Sequence, residues 1–254
     1  MIASRIGDES RAALGLLTRI PVAARLPERP GAAAFGVVGI VIAAVAAIPL
    51  LLLAGPADEP GLAAIGAIAA VVLLSGALHL DGLADTADAL LASDPATAER
   101  ARKDPAVGPG GLAAVVLILA TEVAALLSLA DSMAVLEVAW VLVAAGGISR
   151  VVPVMLVWAT PRDARSAGLG AWFADRIGPL DVVLAVGSAM VVVAAVAIAV
   201  RPALAIDVVV GAVVGIATGW LVAWRRGGLD GDVLGASIEL AFAAVLATTA
   251  VLVR

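Results

Sequence analysis

The stretch His79-Leu80-Asp81-Gly82-Leu83-Ala84-Asp85-Thr86-Ala87-Asp88 sets three carboxylates and the single histidine of the chain at the end of a long apolar run. Spacings of i, i+4 and i+7 place Asp81, Asp85 and Asp88 on one face of a helix. Three anions on one face repel each other unless a cation joins them. Carboxylate oxygens suit a hard divalent ion such as Mg²⁺, which keeps several waters and bridges to substrate phosphates. The competing reading is a solvated acidic helix start, because Asp is favoured in the first turn. Three roles are open to His79: a hydrogen-bonding support for the aspartates, a general base, or a satisfied interface histidine.

Two further polar stretches could join such a site. Arg102-Lys103-Asp104-Pro105-Ala106-Val107-Gly108-Pro109-Gly110-Gly111 combines a cation pair, a carboxylate and three glycines before an apolar run. Glycines allow close backbone approach, and a helix N-terminus offers free N–H groups to an anion. A phosphate could sit there beside Lys103, with Asp104 as a fourth oxygen ligand; a proline-glycine turn is the plainer reading. Gly227-Gly228-Leu229-Asp230-Gly231-Asp232 opens the last apolar run, with Asp232 as the expected N-cap and Asp230 as a turn residue. Arg150, Glu122, Glu137, Asp207 and Glu239 fall inside or at the ends of apolar runs. At membrane depth Arg150 needs a counter-ion or an anionic ligand. Glu122 is expected to be hydrogen-bonded or protonated, Glu137 and Asp207 to reach water, and Glu239 to reach a cavity under the site.

The elements that position these residues are membrane helices. Of 254 residues, 63% are hydrophobic and 15% charged, and the mean hydropathy is +1.11. Soluble domains are nearer half apolar and a quarter charged. Runs at about 36–54, 61–79, 112–130, 133–158, 181–200, 203–224 and 233–253 are each near the roughly 20 residues that cross a bilayer. The expected fold is therefore all-α: one integral-membrane domain over 1–254, a bundle of about seven transmembrane helices. The fourth run holds Gly146, Gly147, Arg150 and Pro153, where a break or kink is expected.

Charge orients the bundle. With the N-terminus cytoplasmic and the C-terminus external, the cytoplasmic segments are 1–35, 80–111, 159–180 and 225–232. They carry thirteen of the sixteen basic residues, a strong positive-inside asymmetry. All the candidate loops then share the cytoplasmic face. No basic-then-apolar leader pattern opens the chain, so insertion is expected to rely on the first span. A pI near 4.8 argues against a nucleic-acid partner bound through basic patches. With no cysteine, thiolate chemistry and disulfides are excluded.

Taken in order, these pieces resemble the cobalamin synthase family, the adenosylcobinamide-GDP ribazoletransferases. Leu17-Thr18-Arg19-Ile20-Pro21-Val22 is similar to the family's amino-terminal signature, and His79 to Ala89 to its acidic block. Lys103-Asp104 to Gly111, Ser149-Arg150, Gly168-Leu169-Gly170 and Gly227 to Ala236 also have counterparts. The chain departs from the pattern at Pro105-Ala106, where serine-arginine is usual, and at Asp230, where threonine is usual. The resemblance implies a bacterial inner-membrane enzyme that joins adenosylcobinamide-GDP to α-ribazole or its 5′-phosphate and releases GMP. It implies that Asp81, Asp85 and Asp88 hold Mg²⁺ against the pyrophosphate. Arg19, Lys103 and Arg150 would bind phosphate oxygens, and His79 or an aspartate would take the hydroxyl proton. Asp104 and Asp232 would serve a second metal or substrate hydroxyls.

Two other readings compete. A CDP-alcohol phosphotransferase also uses aspartates on membrane helices, but expects an aspartate where this chain has Leu78 and an arginine where it has Asp85. A cation-coupled transporter would hold its ion near the bilayer midplane, whereas these aspartates fall at a helix end. Small-residue-rich helices pack closely and would also permit a homo-oligomer.

Overall fold

The computed structural model describes residues 2–22, 28–92, 106–160 and 169–253. Among them are ten α-helices and no strand. They are α1 (Ile2–Leu17), α2 (Phe35–Pro49), α3 (Pro60–Ser75), α4 (Leu78–Leu91), α5 (Pro109–Ala130), α6 (Val135–Ala159), α7 (Leu169–Ala174), α8 (Pro179–Ala199), α9 (Leu204–Arg226) and α10 (Gly231–Leu252). A 3₁₀ turn at Ala32–Ala34 leads into α2, and a π-helical turn at Leu50–Ala54 extends it.

Six of these segments are long and apolar enough to cross a membrane: 32–54, α5, α6, α8, α9 and α10. The expected span at 61–79 differs. Helix α3 stops at Ser75, and α4 departs at 89° after a two-residue corner. Sixteen residues rise about 24 Å, short of a full crossing. If the bent pair counts as one span, the total is seven. Gly76 (φ 62°) and Ala77 (φ 57°) make the corner, both in the left-handed region. Gly76 is a C-cap of the usual left-handed kind, whereas Ala77 carries the steric penalty that a Cβ meets there.

Of the break or kink expected in the fourth run, the break does not occur. Val135–Ala159 is one helix with Pro153 inside it. Its glycines serve packing instead: a Cβ on Gly39 of α2 would collide with the carbonyl of Gly146. Helix α9 crosses α10 through Gly211, Gly215 and Gly219, where a Cβ on Gly215 would meet the Ser237 carbonyl at 2.7 Å. Such small-residue seams let backbones approach where lipid supplies no hydrophobic drive between helices.

Helices α6 and α10 form the buried centre, with α10 packed on α9, α4, α6 and α5, and α6 on α2, α8, α9 and α10. Peripheral helices turn apolar side chains outward, among them Leu117 on α5, Val191 and Ile198 on α8, and Trp220 and Trp224 on α9. At one end of the bundle Arg201 donates to Asp207 Oδ2 at 3.1 Å and to the carbonyls of Thr249 and Leu252, while Thr249 Oγ1 donates to the same Asp207 oxygen. Asp207 is fully buried by this clamp and does not reach water as its position suggested. Glu137 accepts from the Ala134 N–H and so closes the start of α6.

Candidate functional site

The opposite end of the bundle gathers the candidate residues, and the α3–α4 corner organises it. The Arg19 N–H donates to the Leu74 carbonyl at 3.0 Å, and Thr18 Oγ1 accepts from the Ile20 N–H. These bonds lay the segment after α1 along the corner. The Arg19 side chain then crosses Gly76, where a Cβ would collide with its Cγ, Cδ and Nε. Arg19 thus stands, exposed, over Gly76, the residue two before α4 begins.

Asp81 and Asp85 follow one turn apart on α4. Asp81 is exposed and Asp85 half-buried. Partial burial and the charges of Asp81 and Asp88 raise the proton affinity of the Asp85 carboxyl above the ordinary carboxylate range; Arg226 pulls it down and Asp230 pushes it up. Asp88 is engaged differently. Its Oδ2 accepts from the Gly108 N–H at 2.7 Å and its Oδ1 from the Gly111 N–H at 2.8 Å. The anion at the N-terminus of α5 is therefore this carboxylate. Gly108 and Gly111 leave room for it, since a Cβ at either would run into Asp88.

The final turn also differs from expectation. The N-cap of α10 is Asp230, not Asp232: Asp230 Oδ1 accepts from the Val233 N–H at 3.0 Å, and its Oδ2 pairs with Arg226 at 3.0 Å. The i, i+4 spacing of Arg226 and Asp230 was visible in the sequence, although Gly227 ends α9 between them. Asp232 lies in the first turn instead. It lines a cavity together with His79 and Asp81. Gly82 brings α4 onto the start of α10, where a Cβ would lie 2.8 Å from the Asp232 carbonyl.

Beneath this surface lies a buried polar cluster. Arg150 is 1% exposed; its Nη1 donates to Ser149 Oγ at 2.8 Å and its guanidinium lies 5.5 Å from the Phe242 ring centre. Glu239 and Glu122 are its electrostatic partners. His79 is buried too, with Nδ1 3.7 Å from Glu239 Oε1 and neither ring nitrogen hydrogen-bonded among the described residues. The counter-ions that Arg150 requires at this depth are thus supplied by α5 and α10.

Among the described residues no three acidic or histidine side chains converge on one metal position. The donor set fits a different mode. Mg²⁺ is commonly held by one or two carboxylates plus substrate phosphate oxygens, not by an all-protein cage. Asp81 and Asp85, adjacent and mutually repelling, provide such a pair. Asp88, with both oxygens already accepting backbone N–H groups, stands behind them. Lys103 and Asp104, with Pro105 and residues 161–168, lie outside the described residues.

A family model described as cobalamin-5-phosphate synthase matches residues 9–250. The chain belongs to this family. An adenosylcobinamide-GDP ribazoletransferase of Allorhizobium ampelinum is 34% identical over 252 residues, covering 96% of each chain. The protein of that name from Nocardioides sp. is 35% identical, covering 94% of this chain and 96% of its own. That from Klebsiella pneumoniae is 32% identical over 243 residues. No solved structure matches. As a cobalamin-5-phosphate synthase family member, the chain is a membrane-embedded transferase of cobalamin assembly. Asp230, the departure from the resembled pattern, acts as a cap, its side chain accepting from the Val233 N–H. Its extra charge is matched by Arg226.

Proposed function

We propose that this protein joins adenosylcobinamide-GDP to α-ribazole or its 5′-phosphate in a Mg²⁺-dependent reaction that releases GMP. The observation that carries the proposal is the pairing of Asp81 and Asp85 on α4, with Asp232 and a cavity beside them, in a chain of this family. The ribazole 3′-hydroxyl oxygen bonds to the phosphorus bearing the cobinamide arm. The bond from that phosphorus to the bridging pyrophosphate oxygen breaks, and GMP leaves with that oxygen. Such a transfer depends on positioning and on neutralising charge.

Asp81 and Asp85 would hold Mg²⁺, which when bound would offset the charge that builds on the leaving phosphate. Asp88 fixes the geometry of this pair by locking α4 to α5. Arg19 at the corner, with Lys103, binds phosphate oxygens, and Asp104 and Asp232 serve a second metal or substrate hydroxyls. His79 or Asp81 accepts the hydroxyl proton. Arg150 acts through His79 and Glu239, supporting the site from inside the bundle instead of touching phosphate. A position at the bundle's end favours transfer over cation-coupled transport, whose ion sites lie near mid-membrane. The positive-inside pattern supports a cytoplasmic orientation for that end, as in an enzyme of a bacterial inner membrane.

The test is turnover by full-length protein in liposomes. Given adenosylcobinamide-GDP, α-ribazole and Mg²⁺, it should form cobamide and GMP in equal amounts, and EDTA should stop both. Absence of product from folded protein with either ribazole or its phosphate would overturn the assignment.

A further inference from the structure

The cavity beside Asp81 has a volume of about 140 Å³. Its walls come from parts of the chain far apart in sequence: Phe35 at the start of α2, Pro153 in α6, Phe173 in α7, and Ile238 in α10. The Phe35 and Phe173 rings lie 5.3 Å apart at 36°. Its polar groups are His79, Asp81 and Asp232. The apolar interior is wrong for phosphate, because its walls would strip the water from the anion without replacing the hydrogen bonds. It is right for a neutral aromatic ring. An apolar cavity of about 150 Å³ accepts a benzene-sized ligand, so this one takes one ring of an aromatic base, with the rest of a bicyclic base and its sugar toward the mouth.

We propose that the cavity seats the base of the acceptor nucleoside, a neutral benzimidazole-type ring, with its ribose hydroxyls toward Asp81 and Asp232. The assignment rests on the transferase reading above. It divides the site in two: the acidic face of α4 takes the phosphates, and the Phe35–Phe173 cavity selects the acceptor by shape and apolarity. A base with polar edges, such as adenine, would lose hydrogen bonds to water on entry and bind more weakly.

The experiment is steady-state kinetics on the liposome-reconstituted protein, varying each substrate in turn. Free 5,6-dimethylbenzimidazole should inhibit competitively against α-ribazole and not against adenosylcobinamide-GDP. Phe173→Ala and Ile238→Phe should raise KM for α-ribazole at least tenfold while KM for adenosylcobinamide-GDP stays within about threefold. The inhibition pattern needs no variant, so it stands even if a substitution impairs folding. Inhibition competitive with adenosylcobinamide-GDP, no inhibition at all, or variants that raise KM for the nucleotide substrate alone would overturn the cavity assignment and leave the transferase reading intact. Wild-type protein that forms no cobamide would remove both.

Discussion

Asp81, Asp85 and Asp88 look alike in the sequence, yet the fold gives them different work. Asp88 bonds two backbone N–H groups of α5, whereas Asp85 sits among like charges that raise its proton affinity. The sign of that shift has a consequence. A carboxyl whose folded-state proton affinity is raised opposes folding when ionised, and the opposition fades as pH falls and the proton is taken up. Asp85→Asn should therefore raise the thermal unfolding temperature of metal-free protein at pH 8, with a smaller gain at pH 5. Scans in detergent with EDTA at the two pH values check this. The same proton competes with a bound cation, so Mg²⁺ activation should weaken on acidification at higher pH than an ordinary carboxylate, near 4, would give. A weakening no earlier than that of an ordinary carboxylate would contradict it.

Between elements, the acidic helix is held by three devices: the left-handed corner after α3, the Gly82 crossing with α10, and the Asp88 bridge to α5. Removing the last should loosen α4. Asp88→Ala leaves the N–H groups of Gly108 and Gly111 without their anion, a loss of about 2–3 kcal/mol for charge-assisted bonds. A fall in unfolding temperature, with Asp81→Ala little changed, is the expected result of thermal scans run side by side. Much of this level was legible. The i, i+4, i+7 pattern marked the acidic face, and the glycines before Pro109 marked close backbone approach. What approached them was not, because Asp88 lies twenty residues from Gly108 and no local rule pairs them. Asp232 and Asp230 were exchanged as caps for a related reason. Both fit an N-cap, and the choice follows from where Arg226 and the start of α10 fall. Pro153 and the glycines of the fourth run read as a break or kink because their helix-weakening tendency is local, whereas the seam that Gly146 and Gly147 build with α2 is tertiary.

For the whole molecule, hydropathy alone marked the membrane bundle and its helix count to within the short, bent α3. The cavity was not legible at all, since Phe35, Pro153 and Phe173 carry no local signal of meeting. The two ends of the bundle are chemically distinct: the acidic face and cavity at one, the Arg201–Asp207–Thr249 clamp at the other. Basic residues should keep the first in the cytosol. The chain has no cysteine, so single introduced cysteines report sidedness without background. In intact cells a membrane-impermeant maleimide should label Ser132→Cys, in the exposed α5–α6 turn, and spare Arg225→Cys until the membrane is opened. The reverse pattern would turn the site outward and contradict cytoplasmic synthesis.

The most direct test of the account is a Mg²⁺ titration of cobamide formation by wild-type protein and Asp81→Asn in liposomes. If the α4 carboxylates hold the ion, loss of one ligand should raise the Mg²⁺ needed for half-maximal rate at least tenfold, or lower the maximal rate about a hundredfold. An unchanged Mg²⁺ requirement and an unchanged rate in the folded variant would mean that the acidic face of α4 does not hold the metal, and the centre of the proposed mechanism would fall.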